Sequence, residues 1–372
     1  SHIINDHVSD PDIDRAVEGA IIGMMRSLDR NSSYIPAAGF QMMQEETEGA
    51  FDGIGIQIRQ LEDGSIIVFE PIAGAPSQVA VIRAGDVIYK VDGVSTEDMD
   101  LNDVANRIKG PRGRTVNVTV LRTDPATGEV KEISFDVQRG KIPLESIVES
   151  RILEDGIGYI RISDFKKNTG SDVRDRINEF KEEGLNSLII DLRWNPGGLL
   201  SASEDLCELF LPRNTLVVST RGRVGGDHTE DMTLKTSKAP IVPESMPIII
   251  LTSRSTASSS EIVTGAMQFH ERALIVGERT FGKGSVQTII PLRRPRGAAL
   301  RLTTALYYTP ADVTIDTVGI LPDVEVEMSQ EDQENLRIQM IRSFEDDASL
   351  RNEQDHGSVT GGPVTDETVE DV

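Results

Sequence analysis

Serine is abundant in the segment SRSTASSSE (residues 253–261), which connects an apolar run typical of a strand to a run typical of a helix. Ser258 lies where that helix is predicted to begin. A hydroxyl there lies beside free backbone N–H groups and the positive end of the helix dipole, which can stabilise the oxyanion formed in acyl transfer. The spacing of Ser258 and Glu261 also fits a capping box, in which both residues only stabilise the helix start. Spacing alone leaves a nucleophile and a helix cap open.

Lys283 lies between two glycines in the segment FGKGSVQ (residues 281–287), after another predicted strand. It lacks the spacing of a phosphate-binding P-loop. The remaining alternatives are an exposed loop residue and a general base. A lysine can deprotonate a serine if burial lowers its pKa from about 10.4 toward neutrality, at a cost of about 4 kcal/mol. The side-chain amide of Gln287 could orient the neutral amine.

The segment DLRWNPGG (residues 191–198) also follows an apolar run that predicts a strand. Gly197 and Gly198 allow the backbone to approach a substrate closely and to point an N–H group at it. Asp191 and Arg193 could instead form an ion pair in a purely structural turn. Ligands of open α/β sheets gather just beyond the carboxyl ends of the strands, and the three segments are predicted to lie at such ends.

The elements that must position these segments are alternating strands and helices within residues 140–328. The strand runs are apolar without alternation, which predicts an α/β domain with a sheet covered on both faces. Residues 51–139 contain short strands punctuated by glycine and predict a small β-rich domain. Residues 3–50 predict an N-terminal helical segment whose first helix docks through an apolar face. Residues 329–372 predict a helix followed by an acidic, disordered tail.

Charge and composition exclude several classes of protein. Lys and Arg number 38 against 61 Asp and Glu, and the net charge of -23 argues against nucleic acid or anionic membranes as partners. Cys207 lies in an apolar run, as a small buried side chain does, and the five histidines show no metal-ligand spacing. Neither a metal nor a cofactor is expected. No apolar run reaches the roughly 18 residues of a membrane span and no signal peptide is visible, which leaves the compartment open.

Together, these residues resemble the carboxyl-terminal processing peptidases, the serine proteases of peptidase family S41 with a Ser–Lys pair and an embedded PDZ domain. The resemblance covers roughly residues 10–328. It is carried by four motifs: TASSSE at 256–261, DLR and NPGG within 191–198, GKG with Gln287 at 282–287, and LRLTTA before YYTP at 300–310. It implies a multidomain α/β fold, with a ClpP-like or crotonase-like peptidase core, an inserted β-rich PDZ domain and an N-terminal helical segment.

The resemblance also assigns roles. It implies that Ser258 is the nucleophile, Lys283 its base and Gln287 the residue that orients the base. It further implies an oxyanion hole formed by Ser259 with Gly197 or Gly198, and supporting roles for Asp191, Arg193 and Glu261. Within the β-rich domain, it implies that a peptide is bound by Gly53, Ile54, Gly55 and Ile56. Arg122 is the implied sensor of bound peptide. Two residues depart from the family pattern, because Ser259 stands where an alanine is usual and Val81 where a glycine is usual.

The expected function is an endopeptidase that recognises the C-terminal ends of protein substrates, without metal or nucleotide. Its expected partners are substrate proteins with accessible C-termini and either a second copy of the chain or an adaptor protein. The expected location is extracytoplasmic, in the periplasm or cell envelope. The alternative is an inactive PDZ adaptor, which would bind C-terminal peptides without cleaving them. A crotonase-like acyl-CoA enzyme would share the core, but it has no place for the PDZ domain or for Lys283.

Overall fold

The computed structural model describes residues 6–61, 63–124, 127–225, 231–329, 331–332 and 335–336. The chain divides into two compact units, Ser1–Glu325 and Val326–Val372. The predicted C-terminal helix and acidic tail lie almost entirely outside the described residues. Within the described part of the chain, no helix combines the length and the apolar character needed to cross a bilayer.

The described part of the N-terminal segment contains α1 (Ile13–Arg26), the short strand β1 (Ser33–Ile35) and α2 (Ala37–Glu48). Helix α1 begins where the Asp12 carboxylate accepts a hydrogen bond from the Arg15 N–H group at 2.9 Å. It buries only Met25, whereas Val17 is 46% and Met24 is 60% exposed. The predicted helix is therefore present, but most of its apolar face is open. The expected second copy or adaptor protein stays a prediction. The mass of the protein in solution tests its self-association.

The β-rich domain begins and ends in a paired strand, because β2 (Ala50–Gly53) lies antiparallel to β9 (Gly140–Pro143). Between them lie eight further elements: β3 (Ile56–Gln60), β4 (Ile66–Pro71), α3 (Pro76–Val79), β5 (Val87–Val91), β6 (Val94–Ser95), α4 (Leu101–Ile108), β7 (Thr115–Thr123) and β8 (Val130–Gln138). The sheet order is β3-β4-β5-β7-β8, with β6 paired to β5. Val68, Val104 and Val118 are fully buried between this sheet and α4. Strand β3 forms one edge of the sheet.

A six-stranded sheet forms the centre of the α/β core, in the order β10-β11-β12-β15-β16-β19. Its strands are β10 (Ile147–Leu153), β11 (Ile157–Ile162), β12 (Ser187–Asp191), β15 (Ile248–Thr252), β16 (Leu274–Gly277) and β19 (Val324–Glu325). All neighbours pair in parallel except β10, which runs antiparallel to β11. Along β15 the residues alternate between buried and half-buried. At this strand the two faces of the sheet are therefore covered unequally, whereas the apolar runs predict cover on both faces.

Helices α5 (Thr169–Glu182) and α7 (Ser259–Phe269) pack against this sheet, and α6 (Leu200–Cys207) packs against both of these helices. Cys207 is fully buried among them, and burial raises the pKa of its thiol. This position confirms that it is a core side chain.

A second, antiparallel sheet has the strand order β1-β18-β13-β14, with β17 also paired to β18. Its remaining strands are β13 (Leu216–Gly222), β14 (Met232–Lys235), β17 (Ser285–Pro291) and β18 (Ala299–Tyr308). Strand β17 begins two residues after Lys283. Strand β18 pairs with β1 through Ile35 and Ala299, so this sheet joins the N-terminal segment to the core.

Candidate active site

Three loops meet at the carboxyl edge of the parallel sheet. Asp191 at the end of β12 pairs with Leu251 of β15, and Thr252 pairs with Gly277 of β16. The loops that follow these strands carry the glycine pair, Ser258 and Lys283. Parallel strands end at the same edge, so this part of the sequence interpretation agrees with the topology.

Ser258 adopts a strained backbone conformation directly before α7, with φ 57° and ψ -120°. A non-glycine residue at positive φ is uncommon, and such strain is kept where the surrounding structure enforces it. Two bonds hold the turn. The Ala257 N–H group donates to the carbonyl of Asn195 at 3.0 Å, and the Ser258 N–H group donates to Glu261 Oε2 at 2.9 Å. The sharp turn presents the Ser258 side chain at the start of the helix.

Glu261 connects the serine loop to the lysine loop. Its side chain is fully buried, and each of its carboxylate oxygens accepts two hydrogen bonds. Oε2 accepts from the N–H groups of Ser258 and Lys283, at 2.9 and 2.8 Å. Oε1 accepts from the Thr280 hydroxyl at 2.6 Å and the Gly282 N–H group at 2.7 Å. One oxygen atom thus contacts the backbones of both Ser258 and Lys283.

The Lys283 side chain lies in an environment that favours the neutral amine. Burial lowers its pKa, and the nearby positive charge of Arg301 lowers it further, while the Glu261 carboxylate acts in the opposite direction. Among the described residues, the side-chain nitrogen of Lys283 forms no hydrogen bond and no ion pair. In particular, it is not hydrogen-bonded to the Ser258 hydroxyl. The structure therefore brings the two backbones together and leaves the two side chains unbonded to each other.

Two backbone N–H groups beside Ser258 find no acceptor within the described residues, those of Gly198 and Ser259. Ser259 is the first residue of α7, where helix geometry leaves N–H groups unpaired. The Gly197 N–H group, by contrast, donates to Asn195 Oδ1 at 2.8 Å. The Ser259 hydroxyl lies 3.0 Å from the Gly198 carbonyl and 3.1 Å from that of Leu199, and fixes this turn. The geometry thus favours Gly198 over Gly197 as an available donor.

Asp191 and Arg193 form the ion pair that the structural alternative predicted. The Asp191 carboxylate is fully buried and accepts from the Arg193 guanidinium, with Oδ2 2.6 Å from Nη2. It also accepts from the Tyr159 hydroxyl at 2.7 Å. Within the described residues, none of its hydrogen bonds involves Ser258 or Lys283. These side chains support the loop that carries Gly197 and Gly198.

Gln287 is not bonded to Lys283 in this structure. Its Nε2 donates to the Ser285 hydroxyl at 2.8 Å and to the Ser285 carbonyl at 3.1 Å. The same hydroxyl accepts from Asn31 of the N-terminal segment at 2.9 Å. A role for Gln287 in orienting Lys283 stays a prediction, and it would require the amide to leave Ser285.

The predicted peptide-binding loop, residues 53–56, connects β2 to the edge strand β3. The carbonyl groups of Ile54 and Gly55 accept from the N–H groups of Ser77 and Ile72 at 2.8 and 2.9 Å. Their own N–H groups donate to no acceptor among the described residues. Gly55 is required here, because its φ is 75° and a Cβ atom would lie 2.3 Å from that of Ala75.

Arg122 lies on β7 and is held within the β-rich domain. Its Nε and Nη2 each lie 2.7 Å from an oxygen of Asp86, and Nη2 also donates to the Val81 carbonyl at 2.9 Å. Val81 has a φ of 64°, a strained value for a β-branched residue. This conformation explains in physical terms why a glycine suits that position. A sensor role for Arg122 stays a prediction.

The sequence interpretation missed three residues of this site. Asn195 fixes the glycine turn, Arg301 lies near Lys283, and the Tyr307 side chain lies near Ser258. All three belong to the motifs that carry the family resemblance, and this membership was the sequence signal that could have identified them. Among the described residues, no group of three or more His, Cys, Asp or Glu side chains could hold a metal ion.

Two family models match the chain. Residues 156–326 match "Peptidase family S41", and residues 42–121 match "PDZ domain". The chain is 39% identical over 325 residues to a carboxy-terminal-processing protease of Bartonella bacilliformis, with 86% of this chain and 72% of that protein covered. It is 31% identical to the carboxy-terminal processing protease CtpB of Bacillus subtilis, with 87% and 65% covered. For a carboxyl-terminal-processing protease of Synechocystis the identity is 35%, with 77% and 65% covered.

Among solved structures, a photosystem II D1 C-terminal processing protease aligns with a TM-score of 0.49 and 26% identity, covering 87% of this chain and 85% of that one. The chain spans slightly less than two thirds of the Bacillus and Synechocystis relatives, at 65% of each.

Proposed function

Because this chain belongs to the carboxy-terminal processing proteases of peptidase family S41, we propose that it is a serine endopeptidase with a Ser258–Lys283 pair. The observation that carries the proposal is the fully buried Glu261 carboxylate, which contacts the backbones of both residues through one oxygen. The strain at Ser258 and the lowered pKa of Lys283 support the same roles.

In the proposed mechanism, neutral Lys283 removes the proton from Ser258 Oγ as that oxygen attacks the peptide carbonyl. The N–H groups of Gly198 and Ser259 stabilise the resulting oxyanion. Protonated Lys283 then gives its proton to the leaving amine. Water releases the acyl group from Ser258, with Lys283 again acting as base. The hydrogen bond between the two side chains forms when substrate closes the site, since catalytic hydrogen bonds often tighten only in the substrate complex.

We propose that the β-rich domain selects substrates by their C-terminal ends. Strand β3 is an edge strand, so an extended peptide can add to it through backbone hydrogen bonds. At the start of this strand, the unpaired N–H groups of Ile54 and Gly55 can receive a terminal carboxylate. The groove between β3 and α4 would hold the peptide side chains.

The proposal is tested by incubating an unfolded protein with the wild type, Ser258→Ala and Lys283→Ala. We expect cleavage by the wild type only, with peptide binding preserved in Ser258→Ala. Binding without cleavage by the wild type would instead identify an inactive PDZ adaptor. Cleavage that survives in both variants would exclude the Ser–Lys pair. An extracytoplasmic location, proposed from the family alone, is tested by fractionating cells that express the full-length protein.

The pH dependence of cleavage tests Lys283 as the base. A lysine base is active when neutral, so kcat/KM is expected to rise with pH and level off above the pKa of Lys283. In Arg301→Gln a positive charge that lowers this pKa is lost, so the rise shifts to higher pH while the plateau stays. Arg301→Lys keeps the charge and is expected to retain the wild-type profile. Superimposable profiles for Arg301→Gln and wild type would contradict the assignment.

A further inference from the structure

Tyr307 lies on β18 directly beside the lysine loop. Its backbone N–H group donates to the Gly284 carbonyl at 2.9 Å, one residue after Lys283. Its side chain is only 2% exposed and packs in the same core cluster as Ile262 and Val263 of α7. Tyr307 thus lies between the loop that carries Lys283 and the helix that begins after Ser258.

Among the described residues, the buried Tyr307 hydroxyl forms no hydrogen bond of normal geometry, although the Ser258 side chain lies close to it. Among the described residues, only two other buried side-chain polar atoms share this property, on Arg161 and Asn168. A buried hydroxyl without a partner destabilises the folded protein. Phenylalanine would fill the same space without that cost. The hydroxyl therefore makes no favourable contribution to packing, unlike the Tyr159 hydroxyl, which is bonded to Asp191.

The groups around this hydroxyl restrict what it can do. Burial raises the pKa of the Tyr307 phenol well above its usual range, and the carboxylates of Glu261 and Asp316 raise it further. The Ser258 side chain lies near enough to interact with the phenol and lowers its pKa. The raised pKa keeps the phenol protonated at neutral pH, so it can act near Ser258 as a hydrogen-bond donor.

We propose that the Tyr307 hydroxyl donates a hydrogen bond to Ser258 Oγ during attack, and is a further catalytic residue of this enzyme. The inference rests on the proposed Ser258–Lys283 mechanism. The Ser258 proton moves to Lys283 Nζ, negative charge develops on Oγ, and Tyr307 keeps its own proton throughout. A hydrogen bond to a charged oxygen is about twice as strong as a neutral one, so this bond strengthens as the nucleophile forms. It also fixes the direction of Oγ while Lys283 acts as acceptor.

The test compares Tyr307→Phe with the wild type in three measurements: thermal unfolding, cleavage kinetics, and the rate at which a fluorophosphonate probe labels Ser258. We expect the variant to unfold at the same or a higher temperature. Its kcat and labelling rate are expected to fall about 10- to 100-fold, as for loss of one hydrogen bond to a charged group, with little change in KM. The pH at half-maximal rate is expected to stay in place, because Tyr307 does not ionise.

Tyr308→Phe is the matched control. This neighbouring ring is half-buried beneath Arg221, and its variant is expected to be labelled at the wild-type rate. Wild-type labelling of Tyr307→Phe would overturn the inference and leave the proposed function intact. A fall in activity matched by a fall in unfolding temperature would also overturn it, because the hydroxyl would then be structural. A wild type that neither cleaves nor reacts with the probe would instead refute the proposed function itself.

Discussion

Replacing Glu261 with alanine is expected to reduce cleavage by at least about 1,000-fold and to destabilise the protein by about 3–5 kcal/mol. The change removes the acceptor of four donors, two of them buried and two, the N–H groups of Ser258 and Lys283, partly buried. Both loops then lose the contact that sets their separation. A displacement of about 1 Å in a catalytic group can by itself cost about 100-fold in rate.

Glu261→Gln separates the two effects. Its amide oxygen can still accept from Ser258 and Lys283, while its NH2 group faces the Gly282 N–H group. We therefore expect an intermediate loss of stability and a smaller loss of cleavage. Glu208→Ala is the matched control, since Glu208 is a buried carboxylate bonded to Ser237 and Lys238 in another part of the core. It is expected to lose stability and to keep cleaving below its unfolding temperature. Cleavage by Glu261→Ala at the wild-type rate would contradict the assigned role.

Gly197→Ala is expected to reduce cleavage by about 100-fold or more, because the added methyl group collides with the nucleophile turn. A Cβ atom at this position would lie 2.6 Å from Ser258 Cβ and 2.7 Å from the Ala257 carbonyl oxygen. These are distances at which backbone must move. The φ of 98° adds strain of about 1–3 kcal/mol for any side chain.

Gly184→Ala distinguishes collision from strain. Gly184 has a similar φ of 91°, but no atom lies within 4 Å of its added Cβ. Both variants are expected to lose stability in chemical denaturation, and only Gly197→Ala is expected to lose kcat. Equal kcat values for the two variants would show that the glycine turn does not contact the nucleophile in the active enzyme.

The sequence was sufficient to predict the strand-end position of all three loops. Apolar runs that end at Asp191 and Thr252 predict parallel strands, and parallel strands bring their carboxyl ends to one edge. Helix α1 was predicted for a similar reason, from apolar residues at helical spacing. These features depend on local periodicity, which a single sequence contains.

The detailed contacts depend on tertiary packing and could not be derived from spacing. Glu261 fits a helix cap by its spacing, and it does accept from the Ser258 N–H group as a cap would. Only the folded chain reveals that the same oxygen also accepts from Lys283. Likewise, the choice between Gly197 and Gly198 depends on the orientation of the Asn195 side chain. The unpaired Tyr307 hydroxyl leaves no trace in the sequence pattern.

The exposed edge of β3 limits which side chains of a substrate the β-rich domain could recognise. Successive side chains of an added strand point to opposite sides, so every second residue would face α4. In the proposed binding mode, a carboxylate held by the N–H groups of Ile54 and Gly55 would set where this alternation begins. The residue types that the domain prefers would then be defined by their distance from the last residue of the substrate. Removal of that one residue would shift the bound peptide by one position. The side chains that faced the groove would then face solvent, and those that faced solvent would face the groove.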